Sequence, residues 1–147
     1  MGEVSNEALK KTVSILSNSN KIYFDYLFFK QYACKQNYQQ VVKHIIETIQ
    51  QVLTIYPTFE IHVNLFSFNT SSLAKHQEFL RIFANYSNMF GNKLTHFYVY
   101  YTPSIMDTII QLFSRHIFHA NTHTPQFIMY PKHDSEKALQ KTVSGVC

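Results

Sequence analysis

The chain has 147 residues, of which 46% are hydrophobic and 15% charged, with a formal net charge of +4 at pH 7. That length and balance fit one domain with its own core and exclude a disordered chain. Three glycines leave little for phosphate-cradling loops, and the 13 basic residues are scattered, which excludes the dense basic runs used on nucleic acid.

Ser5 is placed to cap a first helix, with Leu9, Val13 and Leu16 at i, i+4 and i+7 on one stripe, ended by the SNSN at 17–20. KIYFDYLFFK, 21–30, reads as a strand covered on both sides, in which Asp25 is the awkward member. QYACKQ follows as a short second strand or a loop. From Tyr38 to Thr54 the period becomes helical, with Val41, Val42, Ile45, Ile46, Ile49, Val52 and Leu53 on a broad apolar face, and Pro57 enforces the stop. The next strand turns Phe59, Ile61, Val63 and Leu65 one way, and Glu60, His62, Asn64 and Phe66 the other. Leu73 to Phe90 predicts a long helix closed by Gly91-Asn92. LTHFYVYY, 94–101, is a strand, and Thr102-Pro103-Ser104 starts a helix carrying Ile105, Ile109, Leu112 and Phe113. FIMY, 127–130, is a short strand, and Asp134 caps a last helix to about Val143.

Strands alternating with helices of these lengths imply parallel pairing and right-handed crossovers. The expected fold is α/β, one domain, with four or five mostly parallel strands. Residues 1–20 would form an N-terminal helix, 21–143 the body and 144–147 a flexible tail.

A helix ending in Tyr-Pro, HIIETIQQVLTIYP, followed by a strand leading to Asn64 and Phe68, resembles the core of CRAL-TRIO lipid-transfer domains. The same strand running into Asn69-Thr70-Ser71-Ser72-Leu73 also resembles the STAS domain, typified by SpoIIAA-type anti-sigma factor antagonists. Both resemblances imply a SpoIIAA-like superhelix of β-α units. The first implies a lipid or other apolar ligand. The second implies a regulatory switch at Ser71 or Ser72, although the Asp and Gly that flank the STAS serine have no counterpart here.

The remaining chemistry is sparse. His116, His119 and His123 have a spacing that would suit a metal on a continuous helix, but Thr122, Thr124 and Pro125 interrupt it. His62 and His96 lie on strands expected to be neighbours, and Asp25 and Glu60 are placed to approach each other or to take a Lys or Tyr partner. No nucleophile elbow occurs, so the reading is non-catalytic, with no cofactor. The surplus of Tyr and Phe points to a protein-interaction or structural module that meets a protein partner or a second copy. Its expected binding residues are Asn64, Phe66, Phe68, Asn69, Ser71, Ser72, Tyr98, Tyr100 and Tyr101. Nucleic acid is not expected as a partner, because the Tyr-rich strand lacks interleaved Arg and Lys. Cys34 and Cys147 are too few for a disulfide framework, and no apolar run reaches the ~18 residues of a membrane span. With no secretory signal in the first twenty residues, an intracellular, cytoplasmic setting is expected. The abundance of Asn, Lys, Ile, Tyr and Phe fits an AT-rich genome such as that of a large DNA virus, which would make that setting the host cytoplasm or the virion.

Overall fold

Residues 3–90, 92–108, 110–111 and 125–143 are described by the computed structural model. The element order is α1 (Asn6–Thr12), β1 (Val13–Ile15), β2 (Lys21–Asp25), α2 (Tyr26–Tyr32), α3 (Tyr38–Leu53), β3 (Phe59–Asn64), α4 (Thr70–Ser87), β4 (Leu94–Tyr100), β5 (Gln126–Met129) and α5 (Lys132–Val143). A 3-10 turn, Asn88–Phe90, follows α4, and a helical stretch opens at Met106. The rest of that helix, the candidate ligands His116, His119 and His123, and the tail lie outside the described residues.

The five strands form one sheet in the order β1-β2-β3-β4-β5. The sheet is mixed: β2 to β5 run parallel, and β1 pairs antiparallel with β2 at one edge. The fold is therefore α/β, and its fifth strand is β1 rather than a strand in QYACKQ. Parallel strands laid down in sequence order with right-handed crossovers place every crossover on the same side of the sheet. Accordingly, α2, α3 and α4 contribute to one core against Val13, Ile22, Phe24, Ile61, Val63, Phe97 and Val99. Helix α3 buries Tyr38, Val41, Val42, Ile45, Ile49 and Val52, each aliphatic among them stabilising by about 1.5–3 kcal/mol relative to exposure.

Three local expectations are corrected. The first helix stops at Thr12, whose hydroxyl donates back to the Ala8 carbonyl and lies 2.7 Å from the Tyr32 hydroxyl. Val13–Ile15 instead extends and pairs with Ile22–Phe24, a hairpin whose turn holds Asn18 at φ 53°. KIYFDYLFFK is half strand and half helix, because Asp25 Oδ1 accepts the Leu27 amide at 2.9 Å and caps α2. Helix α4 is not regular, since His76 (φ −107°, ψ 18°) interrupts it.

Candidate functional site

Alternation gives the other face of the sheet three rows of side chains. The register aligns Lys21, Glu60, His96 and Gln126; then Tyr23, His62, Tyr98 and Ile128; then Asp25, Asn64 and Tyr100. Helix α5 crosses this face: Thr142 Oγ1 lies 3.0 Å from the Tyr100 hydroxyl, and Ser135 Oγ accepts the Tyr101 amide at 2.6 Å.

Under α5 the polar groups are paired with one another. His62 is 1% exposed, with Nε2 3.0 Å from Glu60 Oε1 and Nδ1 2.8 Å from the Tyr100 hydroxyl. Nε2–H donates to the carboxylate, so Nδ1 accepts from the tyrosine. The ring stacks on Tyr98 at 4.2 Å, and Tyr100 stacks on Tyr130 at 5.2 Å. Burial lowers the His62 pKa, opposed by Glu60, and burial pushes Tyr100 up to about 12. Both ring nitrogens of His62 are thus committed, and neither is left to exchange a proton with a substrate. His62 and His96 do not face each other directly. They share Glu60, with His96 Nδ1 3.7 Å from its second oxygen, and both stack on Tyr98.

Asp25 does not approach Glu60. It aligns with Asn64, and its Oδ2 accepts from the Tyr23 hydroxyl at 3.4 Å. Asn64 Nδ2 donates to that same hydroxyl at 3.0 Å. Burial raises both the Tyr23 pKa, to about 12, and that of Asp25.

At the C-terminal ends of the parallel strands the character changes from paired to exposed. This is the end of an α/β sheet at which ligands usually bind. Leu27 and Phe28 follow β2, Phe66 and Ser67 follow β3, and Tyr101 follows β4. Phe66 is 48% exposed and sits edge-on to Tyr101 at 5.2 Å. The two turns that present them hold Ser67 at φ 70° and Tyr101 at φ 56°, left-handed conformations unfavourable for side chains with a Cβ. Lys30 Nζ donates to Ser67 Oγ at 2.8 Å, tying α2 to this rim. Beside it, Tyr23, Tyr101 and the α5 residues Glu136, Lys137, Leu139, Gln140, Lys141 and Val143 line an open groove of about 910 Å³.

The residues singled out from the sequence therefore divide. Asn64, Phe66 and Tyr101 come together at the rim. Tyr98 and Tyr100 belong to the paired layer, and Tyr100 is wholly buried. Phe68 turns inward, 4.9 Å from the Tyr26 ring. Asn69 and Ser72 form a reciprocal cap on α4: Asn69 Oδ1 accepts the Ser72 amide at 3.1 Å, and Ser72 Oγ accepts the Asn69 amide at 3.2 Å. Ser71 is exposed beside them. Tyr23, Leu27, Phe28 and Thr142 were not singled out. Tyr23 carried a signal in the strand alternation, but Leu27 and Phe28 were hidden inside a segment read as one strand.

Among the described residues no group of three or more His, Cys, Asp or Glu is arranged to hold a metal ion. Nor, among them, is any helix long and apolar enough to cross a membrane. Comparison with protein-family models, with curated proteins and with solved structures finds no significant match to this chain.

Proposed function

We propose that this chain is a non-catalytic protein-interaction module that seats a partner protein on the rim at the C-terminal ends of its parallel strands. The observation that carries this reading is the Phe66–Tyr101 pair, an exposed aromatic contact held by two backbone turns in left-handed geometry. Strain of that kind costs of order 1–3 kcal/mol per residue and persists where the surroundings over-determine it, commonly at binding surfaces. Aromatic side chains beside a groove also supply the large, low-entropy contact area that dominates protein interfaces. A SpoIIAA-like plan is part of the proposal, supported by consecutive parallel strands with a helix in each described crossover. The capping role of Ser72 weighs against a switch at that position, because its hydroxyl is already engaged.

A photo-reactive amino acid placed at position 66 tests the proposal in native extract. It should cross-link to one defined protein, or to a second copy if the module self-associates. The control is position 55: Ile55 is 75% exposed but precedes β3, at the opposite end of the strands. Equal capture at both positions, or none at 66, rules the rim out as the docking surface.

A further inference from the structure

The hydrogen bonds beneath α5 form a chain that is short of one proton. Four contacts follow one another. Glu60 Oε1 lies 3.0 Å from His62 Nε2, and His62 Nδ1 lies 2.8 Å from the Tyr100 hydroxyl. That hydroxyl is 3.0 Å from Thr142 Oγ1, which is itself 3.0 Å from the Ala138 carbonyl. Each contact needs a hydrogen. With His62 neutral and Glu60 a carboxylate the chain holds three, one on the ring, one on Tyr100 and one on Thr142. The ring hydrogen faces Glu60, and the Tyr100 hydrogen faces Nδ1. The Thr142 hydrogen then serves either Tyr100 or the Ala138 carbonyl, and one contact stays empty.

A proton on Nδ1 fills all four. Nδ1–H donates to the Tyr100 oxygen, Tyr100 donates to Thr142, and Thr142 donates to the Ala138 carbonyl. We propose that His62 takes up a proton in the folded chain and that Tyr100 and Thr142 relay it to α5, which makes the polar layer a pH-sensitive link to the helix that walls the groove. By linkage, the Thr142 hydroxyl raises the affinity of His62 for the proton, and the proton strengthens the Tyr100–Thr142 contact by the same factor.

The surroundings of His62 divide over that proton. Glu60, on the same strand, favours the charged ring through its hydrogen bond and its charge. Burial, Lys21 on β2 and His96 on β4 oppose it, and burial prevails, so uptake falls below the ordinary histidine pKa. Tyr23 aligns with His62 from β2, and Tyr98 stacks on it from β4. From α5 the ring is reached through Thr142 and Tyr100, while Glu136, Lys137 and Lys141 line the groove. Hydroxyls that turn let a buried ring charge without orphaning a polar group. The buried His76 has no such outlet, because its Nε2 lacks a partner. The relay is internal to the chain and stands whether or not a partner docks at the rim.

Nitrogen NMR of the His62 ring against pH, on the full chain, tests the relay. The ring should become doubly protonated in one step before acid unfolding, and the Ala138 carbonyl carbon should shift with the same midpoint. Thr142→Val leaves two contacts and two hydrogens, so it should lower that midpoint by about half to one pH unit, the worth of one net hydrogen bond. Thr142→Ser, which keeps the hydroxyl, should restore the wild-type midpoint. The Ala138 signal decides on its own if the valine variant does not fold. A ring that stays neutral until the chain unfolds overturns proton uptake. Uptake with an unmoved Ala138 signal, or an unchanged midpoint in Thr142→Val, overturns the relay.

Discussion

The two faces of the sheet are built from alternate residues of the same strands, and they solve burial in opposite ways. The helix-covered face is apolar and extensive, yet it is left with unfilled space between side chains and one unmet nitrogen at His76. The opposite face carries Glu60, His62, Asn64, Tyr98 and Tyr100; there Glu60, His62, Asn64 and Tyr100 find hydrogen-bond partners on their neighbours, and Tyr98 stacks on His62. Apolar packing is non-directional, so shape mismatch remains as empty space. Hydrogen bonding is directional and an unpaired buried group is expensive, so a polar layer is stable only when it is nearly complete. The face that looks functional from its residue types is thus the rigid one. Adaptable space lies within the apolar core and at the rim where the polar layer ends.

The sharpest way to break this contrast is Phe29→Ala. Phe29 is 2% exposed and touches the rings of Phe24, Tyr26, Tyr32, Tyr38, His76 and Phe79. Truncation should cost about 3–5 kcal/mol in denaturant unfolding. A loss below about 1 kcal/mol would show that this side of the core is already loose.

Acidification should separate the faces next. The His76 pKa is depressed to about 4 in the folded chain against an ordinary value of 6.5, so the unfolded state binds more protons between those values. Stability is therefore fully present above about pH 6.5 and falls as pH drops toward 4, by roughly 2–3 kcal/mol from this residue. His62, also lowered by burial, acts in the same direction. His76→Phe should flatten the pH dependence of unfolding more than His62→Phe does, and the reverse order would mean that the polar layer carries it.

The smallest effect is expected from Tyr100→Phe, which keeps the ring and removes the hydroxyl shared by His62 and Thr142. A cost of about 1–3 kcal/mol is expected, because His62 Nδ1 is left without its partner. In a double-mutant cycle with Thr142→Val the two losses should be less than additive. Strict additivity would show that α5 is not coupled to the layer through this contact.

Much of the fold was legible because periodicity reports burial directly. The 3.6-residue stripe of Val41 to Leu53 has one buried side, and the two-residue alternation of Phe59 to Asn64 sends apolar and polar residues to opposite faces of the sheet. Misreadings occurred where two structures satisfy the same residues. Tyr, Leu and Phe at 26–29 suit strand or helix alike, and the choice rests on the bond from Asp25 to the Leu27 amide. Val13 fits a helical stripe as well as an edge strand, and only the presence of β2 favours pairing. The rim was partly visible, since Phe66 falls on the polar side of the alternation that runs through β3, and it is exposed in the structure.

What the sequence determined by itself was the alternation of strands and helices and the separation of apolar from polar positions, because both follow from local geometry and hydrophobicity. What only the tertiary structure decided was the pairing across elements. It placed His62 between Glu60 and Tyr100, set Phe66 against Tyr101, and left one ring nitrogen of the buried His76 unpaired. The His62–Tyr100 and Phe66–Tyr101 contacts join residues far apart in the chain, and their geometry depends on strand register.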